Sequence, residues 1–236
     1  MAESRSVLSS SLGKKAVMAV SGLILVGFVL AHMAGNLKMY LGREAFNHYA
    51  AGLRELGQPF FPHGGLLWVA RGVLLAAVVA HIGSAWLLTR QAQRARATRY
   101  QRHAYAQADY AVRTMRWGGV ILLLFVVYHL LHLTLGVVHP SFTHPETLPG
   151  GTEAYHAYEN LVAGFAGHPL VALAYMAANL ALGFHLYHGI WSAGRSLGLG
   201  TASSDALWRR AALLVAFVVT AGNLSFPIAV LCGVVK

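Results

Sequence analysis

Four histidines, His32, His81, His129 and His185, each lie inside a different long apolar run. An ionisable side chain is costly in hydrocarbon, so its presence there is first of all a functional signal. A neutral imidazole offers a lone pair to a metal, and an iron held in an electron-transfer macrocycle needs one such ligand on each side. Two ligands must then share a depth while standing on different helices. Counting 1.5 Å per residue from helix starts near 17 and 114 puts His32 and His129 ~22 Å from the edge at which those helices begin. His81 and His185, counted from starts near 66 and 170 on the opposite side, come to rest ~8 Å from that edge. The pairs His32/His129 and His81/His185 thus form two levels, which suits axial ligation of two stacked b-type haems.

Spacing alone does not choose every ligand. The third run holds His132 as well as His129, and the fourth holds His188 as well as His185. Residues three apart share a helix face. A bc-type quinone cytochrome would carry two ligands thirteen or fourteen residues apart on one helix, and no run here does so. A histidine-lined metal or proton transporter with no haem would want acids or broken helices at mid-membrane, but Glu3, Glu44, Glu55, Asp109, Glu146, Glu153, Glu159 and Asp205 all lie outside the apolar runs. The third competing reading is an anchor whose histidines merely pack. Cys232 is the one cysteine, which excludes an internal disulfide framework and any four-cysteine metal site. Iron–sulfur chemistry, if present, belongs to another chain. His48, His63, His103, His139, His144, His156 and His168 read as loop or interfacial residues with structural roles.

The elements that must position these rings follow from composition. The chain is 56% hydrophobic yet carries a formal charge of +10, so its charge is crowded into short stretches between apolar ones. That pattern fits an integral membrane protein and not a soluble domain. Apolar runs long enough to span ~30 Å of hydrocarbon occur at about 16–40, 66–89, 114–138, 168–194 and 209–234. Only helices satisfy their own backbone in lipid in this way. The expected fold is all-α and membrane-integral: a single domain of five transmembrane helices, four of them bundled around the two haems. Assigning the N-terminus to the cytoplasm places thirteen of the eighteen Lys and Arg on that side, as short basic loops require, and leaves the C-terminus outside. The high charge therefore reports topology; the arginines are split among loops with no nucleic-acid-binding module beside them. Lys14 and Lys15 before an apolar stretch resemble a signal peptide, but the stretch is too long and no convincing cleavage site follows.

Along the chain, Ser9, Ser10 or Ser11 is placed to cap the first helix. Residues 41–65 read as an outer loop. The basic, helix-permissive segment 90–113 either extends helices two and three or faces an acidic partner. Residues 139–167, with Pro140, Pro145, Pro149, Gly150 and Gly151, read as an outer connection whose YHAYENL portion lies along the interface. Pro227 is expected to kink the last helix. Small residues flank the histidines: Gly27, Ala31, Ala34 and Gly35, then Ala77, Ala80, Gly83 and Ser84, then Ala177, Ala178, Ala181 and Gly183. They serve either close helix packing or room for a macrocycle.

The segments SSSLGKKAVMAVSGLILVGFVLAHMAGNLKMYLG, GVILLLFVVYHLLHLTLG and ALGFHLYHGIWS resemble the cytochrome b subunit of succinate dehydrogenases and fumarate reductases, in the branch with one membrane polypeptide and two haems. The resemblance covers nearly the whole chain. It implies that His129 and His185 are the ligands, which leaves His132 and His188 as residues around the haems or at their propionates. It also implies two haems b, a flavoprotein subunit carrying FAD and an iron–sulfur subunit on the cytoplasmic side. The setting it implies is a bacterial inner membrane, with the succinate chemistry on a partner and electrons passing from the inner haem to the outer haem and on to a quinone, often menaquinone. The whole complex is open to further oligomerisation. Glu55, Glu44 and Asn36 are quinone-site candidates by location; Arg71 and Arg116 are candidates for pairing with propionates, or snorkelling anchors. Some fumarate-reducing relatives place a glutamate two residues before the fourth ligand for proton movement, where this chain has Gly183. That departure leans towards succinate oxidation over a quinol-oxidising fumarate reductase.

Overall fold

The computed structural model describes residues 10–95, 110–139, 142–147 and 153–236. The polar lead before residue 10 with Ser9, most of the basic segment 90–113 including His103, and Pro140, Pro149, Gly150 and Gly151 lie outside the described residues.

Helix α1 (Ser11–Asn36) begins where Ser10 turns extended and its Oγ accepts the Gly13 N–H at 3.0 Å, the expected serine cap. Inside the helix the Ser21 hydroxyl donates back to the Val17 carbonyl at 2.7 Å, so a polar side chain in an apolar run is satisfied locally. The helix tightens into a 3-10 turn, Leu37–Leu41, and stops at Gly42, whose φ of +96° suits glycine. The expected outer loop is in fact helical in part: α2 (Arg43–Glu55) is followed by a glycine-rich turn into α3 (Gly65–Arg94). Helix α4 (Tyr110–His129) widens into one π turn, Leu130–Thr134, which carries His132. A two-residue ladder, Glu146–Thr147 with Glu153–Ala154, precedes α5 (Ala157–Ala166), which takes up most of the YHAYENL portion. Helices α6 (Pro169–Ser196) and α7 (Asp205–Leu231) complete the chain, and α7 continues through Pro227.

Five of these helices are long and apolar enough to cross a membrane: Ser11–Leu41, Gly65–Arg94, Met115–Thr134, Pro169–Ser196 and Asp205–Leu231. This is a multi-pass membrane architecture with each expected span present. The bounds differ at the ends because helices do not stop where hydrocarbon stops: α3 carries polar residues to Arg94, while the third span ends at Thr134, short of the expected 138.

Helix α6 is central, packed on α1, α4 and α7, while α3 packs on α1. The core lies between α1, α6 and α7 and includes Met33, Tyr175, Ile190, Trp191, Val219 and Phe226. Helices α3 and α4 are peripheral; only 6% of the apolar stretch of each is buried. At one end, α2 and α5 form a cap. Asn47 donates to Glu159 at 2.9 Å and accepts the Tyr158 N–H at 2.9 Å, and Arg43 pairs with Glu159 at 3.0 Å. At the other, basic end, Asp205 accepts from Trp191 Nε1 at 2.9 Å and from Arg195 and Arg209 at 3.0 Å each. Both guanidinium groups also lie over the Trp191 ring, so one buried indole locks the α6–α7 corner.

Candidate functional site

The four histidines meet in the pairs expected. The His32 and His129 rings are 5.9 Å apart between centroids, and those of His81 and His185 are 6.1 Å apart, both edge to face. Neither α1 with α4 nor α3 with α6 is a closely packed helix pair. Each pair therefore reaches across a gap.

The depth of the two levels can be read on two helices independently. On α1, Gly22 lies against His81 and His32 lies in the other pair. On α6, Tyr175 lies against His129 and His185 lies in the other pair. Both intervals are ten residues, or ~15 Å along a helix. Two helices running in opposite directions give one separation.

At His81 and His129 the hydrogen bonds leave Nε2 free to ligate, whereas His185 Nδ1 is buried without a hydrogen-bond partner. His81 Nδ1 is 3.1 Å from the Met18 carbonyl, which can only accept, so Nδ1 carries the proton and Nε2 keeps its lone pair. A metal-binding histidine anchored by a backbone carbonyl is the usual arrangement. His129 Nδ1 faces the Tyr175 hydroxyl at 3.3 Å. Glycines clear the space: a Cβ on Gly22 would come within 3.1 Å of His81 Cε1, and Gly119 stands opposite His185 Cε1 at 4.0 Å. An apolar groove of ≈ 340 Å³ runs between α4 and α6, lined in part by Phe125, Tyr128, Ala177, Ala178 and Ala181. Its α6 wall runs from Ala174, beside Tyr175, to Ala181, one turn short of His185.

These observations fit haem. A metal–imidazole bond of about 2 Å and about 1 Å from nitrogen to ring centre, on each side of an iron, account for about 6 Å between centroids. Among the described residues no group of three or more His, Cys, Asp or Glu is disposed to hold an ion. Two nitrogens per level is the donor set that a macrocycle, supplying the other four, completes.

No protein-family model, curated protein or solved structure matches the chain. The site's geometry therefore stands by itself.

Other sequence candidates divide. His132 is 1% exposed and donates to or accepts from Tyr175 through Nδ1 at 2.9 Å; it is a core residue beside the His32/His129 pair. His188 is edge-on to Trp191 at 5.9 Å, on the basic side of His185. Arg71 is exposed with its guanidinium over Trp68, and Arg116 is exposed near the start of α4. Glu44 and Glu55 are exposed on α2, whereas Asn36 is half-buried one turn beyond His32. His139, expected as a loop or interfacial residue, lies outside the helices and joins a ring cluster with His132, Phe142 and His168, the last at 4.7 Å. His48, His63, His144 and His168 are exposed, and His156 is half-buried. Among the small residues, Gly35 abuts Tyr49 and Gly183 abuts Thr220, so both serve close packing; Gly27 and Gly83 face open space. At Gly183 no glutamate side chain fits against α7 without a shift of Thr220. Sequence reasoning missed Gly22, Gly119, Tyr175 and Glu159. A glycine or tyrosine in an apolar helix carries no mark of which neighbour it meets.

Proposed function

We propose that this chain is the dihaem cytochrome b anchor of a succinate:quinone oxidoreductase, with His81/His185 holding the inner haem and His32/His129 the outer. The observation that carries the reading is the pair of facing histidine pairs ~15 Å apart on α1 and α6. When bound, the haems supply a one-electron path between an iron–sulfur donor at the basic end and a quinone at the cap end. Succinate is oxidised on a flavoprotein partner. Met18 and Tyr175 orient ligand rings through their Nδ1 atoms. Lys14, Arg90 and Arg94 at the basic end, with Arg195 and Arg209 sharing the single charge of Asp205, present net positive charge to an acidic docking surface on the cytoplasmic side. The membrane is the inner membrane of a bacterium, with the N-terminus inside. At the cap end the quinone is menaquinone, and Asn36 is the best placed of the three candidates to donate a hydrogen bond to its oxygen. Succinate oxidation is favoured because Gly183 is packed against Thr220 where a proton-carrying glutamate would stand.

The test is a dithionite-reduced minus oxidised spectrum with pyridine haemochrome quantification on the purified chain or its complex. Two haems b per polypeptide are expected. His81→Ala or His185→Ala should remove the inner haem, and His32→Ala or His129→Ala the outer, while His132→Ala keeps both. A wild-type chain without haem, expressed under adequate haem supply, overturns the function.

A further inference from the structure

Tyr175 is 5% exposed, and its ring is fixed edge-on by Phe125 at 4.9 Å and Phe165 at 5.0 Å. Its hydroxyl lies between two imidazoles, 3.3 Å from His129 Nδ1 and 2.9 Å from His132 Nδ1. His132 is equally immobile. It is stacked on Tyr128 at 5.4 Å, and a Cβ on Gly164 would come within 3.0 Å of its Cε1.

Three groups in a row with one hydroxyl proton admit few arrangements. If both histidines donated, the tyrosine O–H and the buried His132 Nε2 lone pair would both be left without partners, whereas a chain running to His132 leaves only its Nε2–H unpaired and is the better satisfied arrangement. The chain therefore runs one way or the other: from His129 through Tyr175 to His132, or the reverse. Iron on His129 Nε2 needs that nitrogen's lone pair, so the ring proton sits on Nδ1 and the direction is decided. His129 Nδ1–H donates to the tyrosine oxygen, and the tyrosine O–H donates to His132 Nδ1. Donating its proton makes the tyrosine oxygen a better acceptor. At the inner level a backbone carbonyl does this work, Met18 at 3.1 Å from His81 Nδ1.

We propose that Tyr175, backed by His132, is a positioning residue for the outer ligand: it fixes the tautomer and ring of His129 and lowers the potential of the outer haem relative to what an unbonded ligand would give. The proposal rests on the dihaem reading above. A stronger acceptor on the ligand's N–H makes the imidazole a better electron donor to iron, and so stabilises the oxidised metal.

The experiment is redox potentiometry of the haem-loaded chain or complex, followed optically and by low-temperature electron paramagnetic resonance. The outer signal is the one lost in His32→Ala. Tyr175→Phe should keep both haems, raise the outer midpoint potential and leave the inner one unchanged. His132→Leu should shift the outer potential the same way by less, and His132→Gln, whose amide oxygen still accepts from the tyrosine, should stay near wild type. An outer potential unmoved in Tyr175→Phe, or an equal shift of both haems, overturns the proposal. If Tyr175→Phe holds no outer haem, the two His132 variants decide: different potentials support the relay, and equal ones overturn it. Absence of haem from the wild type would instead overturn the functional reading and is read before any variant is made.

Discussion

At the residue scale, the informative positions in the spans are those where a polar atom or a missing side chain has a specific partner. The four paired histidines were legible because imidazole in lipid is costly and four of them fell at two depths. Gly22 was not, since a glycine in an apolar helix reads equally as packing. Yet a Cβ at Gly22 would come within 3.2 Å of His81 Nδ1, the atom that meets the Met18 carbonyl. Gly22→Val should therefore displace the His81 ring, with an overpacking cost of about 1–3 kcal/mol. Haemochrome quantification should fall from two haems to one, and the surviving haem should be the outer. Retention of both would show that the ring tolerates the intrusion. Tyr175 escaped notice for a related reason: its two imidazole partners are 46 and 43 residues away in sequence, and local pattern carries no information about such pairs.

At the element scale, hydropathy located every span, and what it missed was built from long-range polar contacts. The α2–α5 cap depends on Asn47 meeting Tyr158 and Glu159, more than a hundred positions away, so 41–65 looked like a loop. The segment after the third span is similar. His139 lies beyond the membrane-spanning part, and burial and the neighbouring His168 hold its pKa below the ordinary 6.5. The folded protein thus binds fewer protons there than the unfolded chain does. Stability contributed at this site is intact above 6.5 and is lost as pH falls below that value toward the lowered one. Melting followed on both sides of the ordinary histidine range should show the wild type losing stability on the acid side, and His139→Gln losing less. Identical pH profiles would exclude His139 as a contributor; His132 and His168 are the other titratable groups against it.

At the scale of the whole molecule, the bundle is unevenly supported. The apolar stretches of α6 and α7 are 28% and 33% buried, against 6% for α3 and α4. Each of the two poorly buried helices carries one member of a histidine pair, His81 or His129. Anything bound across both pairs ties a peripheral helix to a central one, and a ligand that binds only the folded state stabilises it in proportion to its occupancy. Hydrogen exchange in detergent or nanodiscs should accordingly show α3 and α4 opening more readily than α6 and α7 in haem-depleted protein. Haem loading should slow α3 and α4 most. Uniform slowing of every helix would mean that the bundle opens as one cooperative unit instead.

The matching ten-residue intervals on α1 and α6 also bear on how such a chain can vary. Inserting a single residue between Gly22 and His32 would lengthen that interval by ~1.5 Å and, more seriously, turn His32 by ~100° about the helix axis, away from His129. The same holds between Tyr175 and His185 on α6. No compensating insertion in a loop can restore the facing, because loops do not rotate the helix interior. Length change is thus confined to the connections and helix ends, and the stretches 22–32 and 175–185 admit substitution but not insertion or deletion.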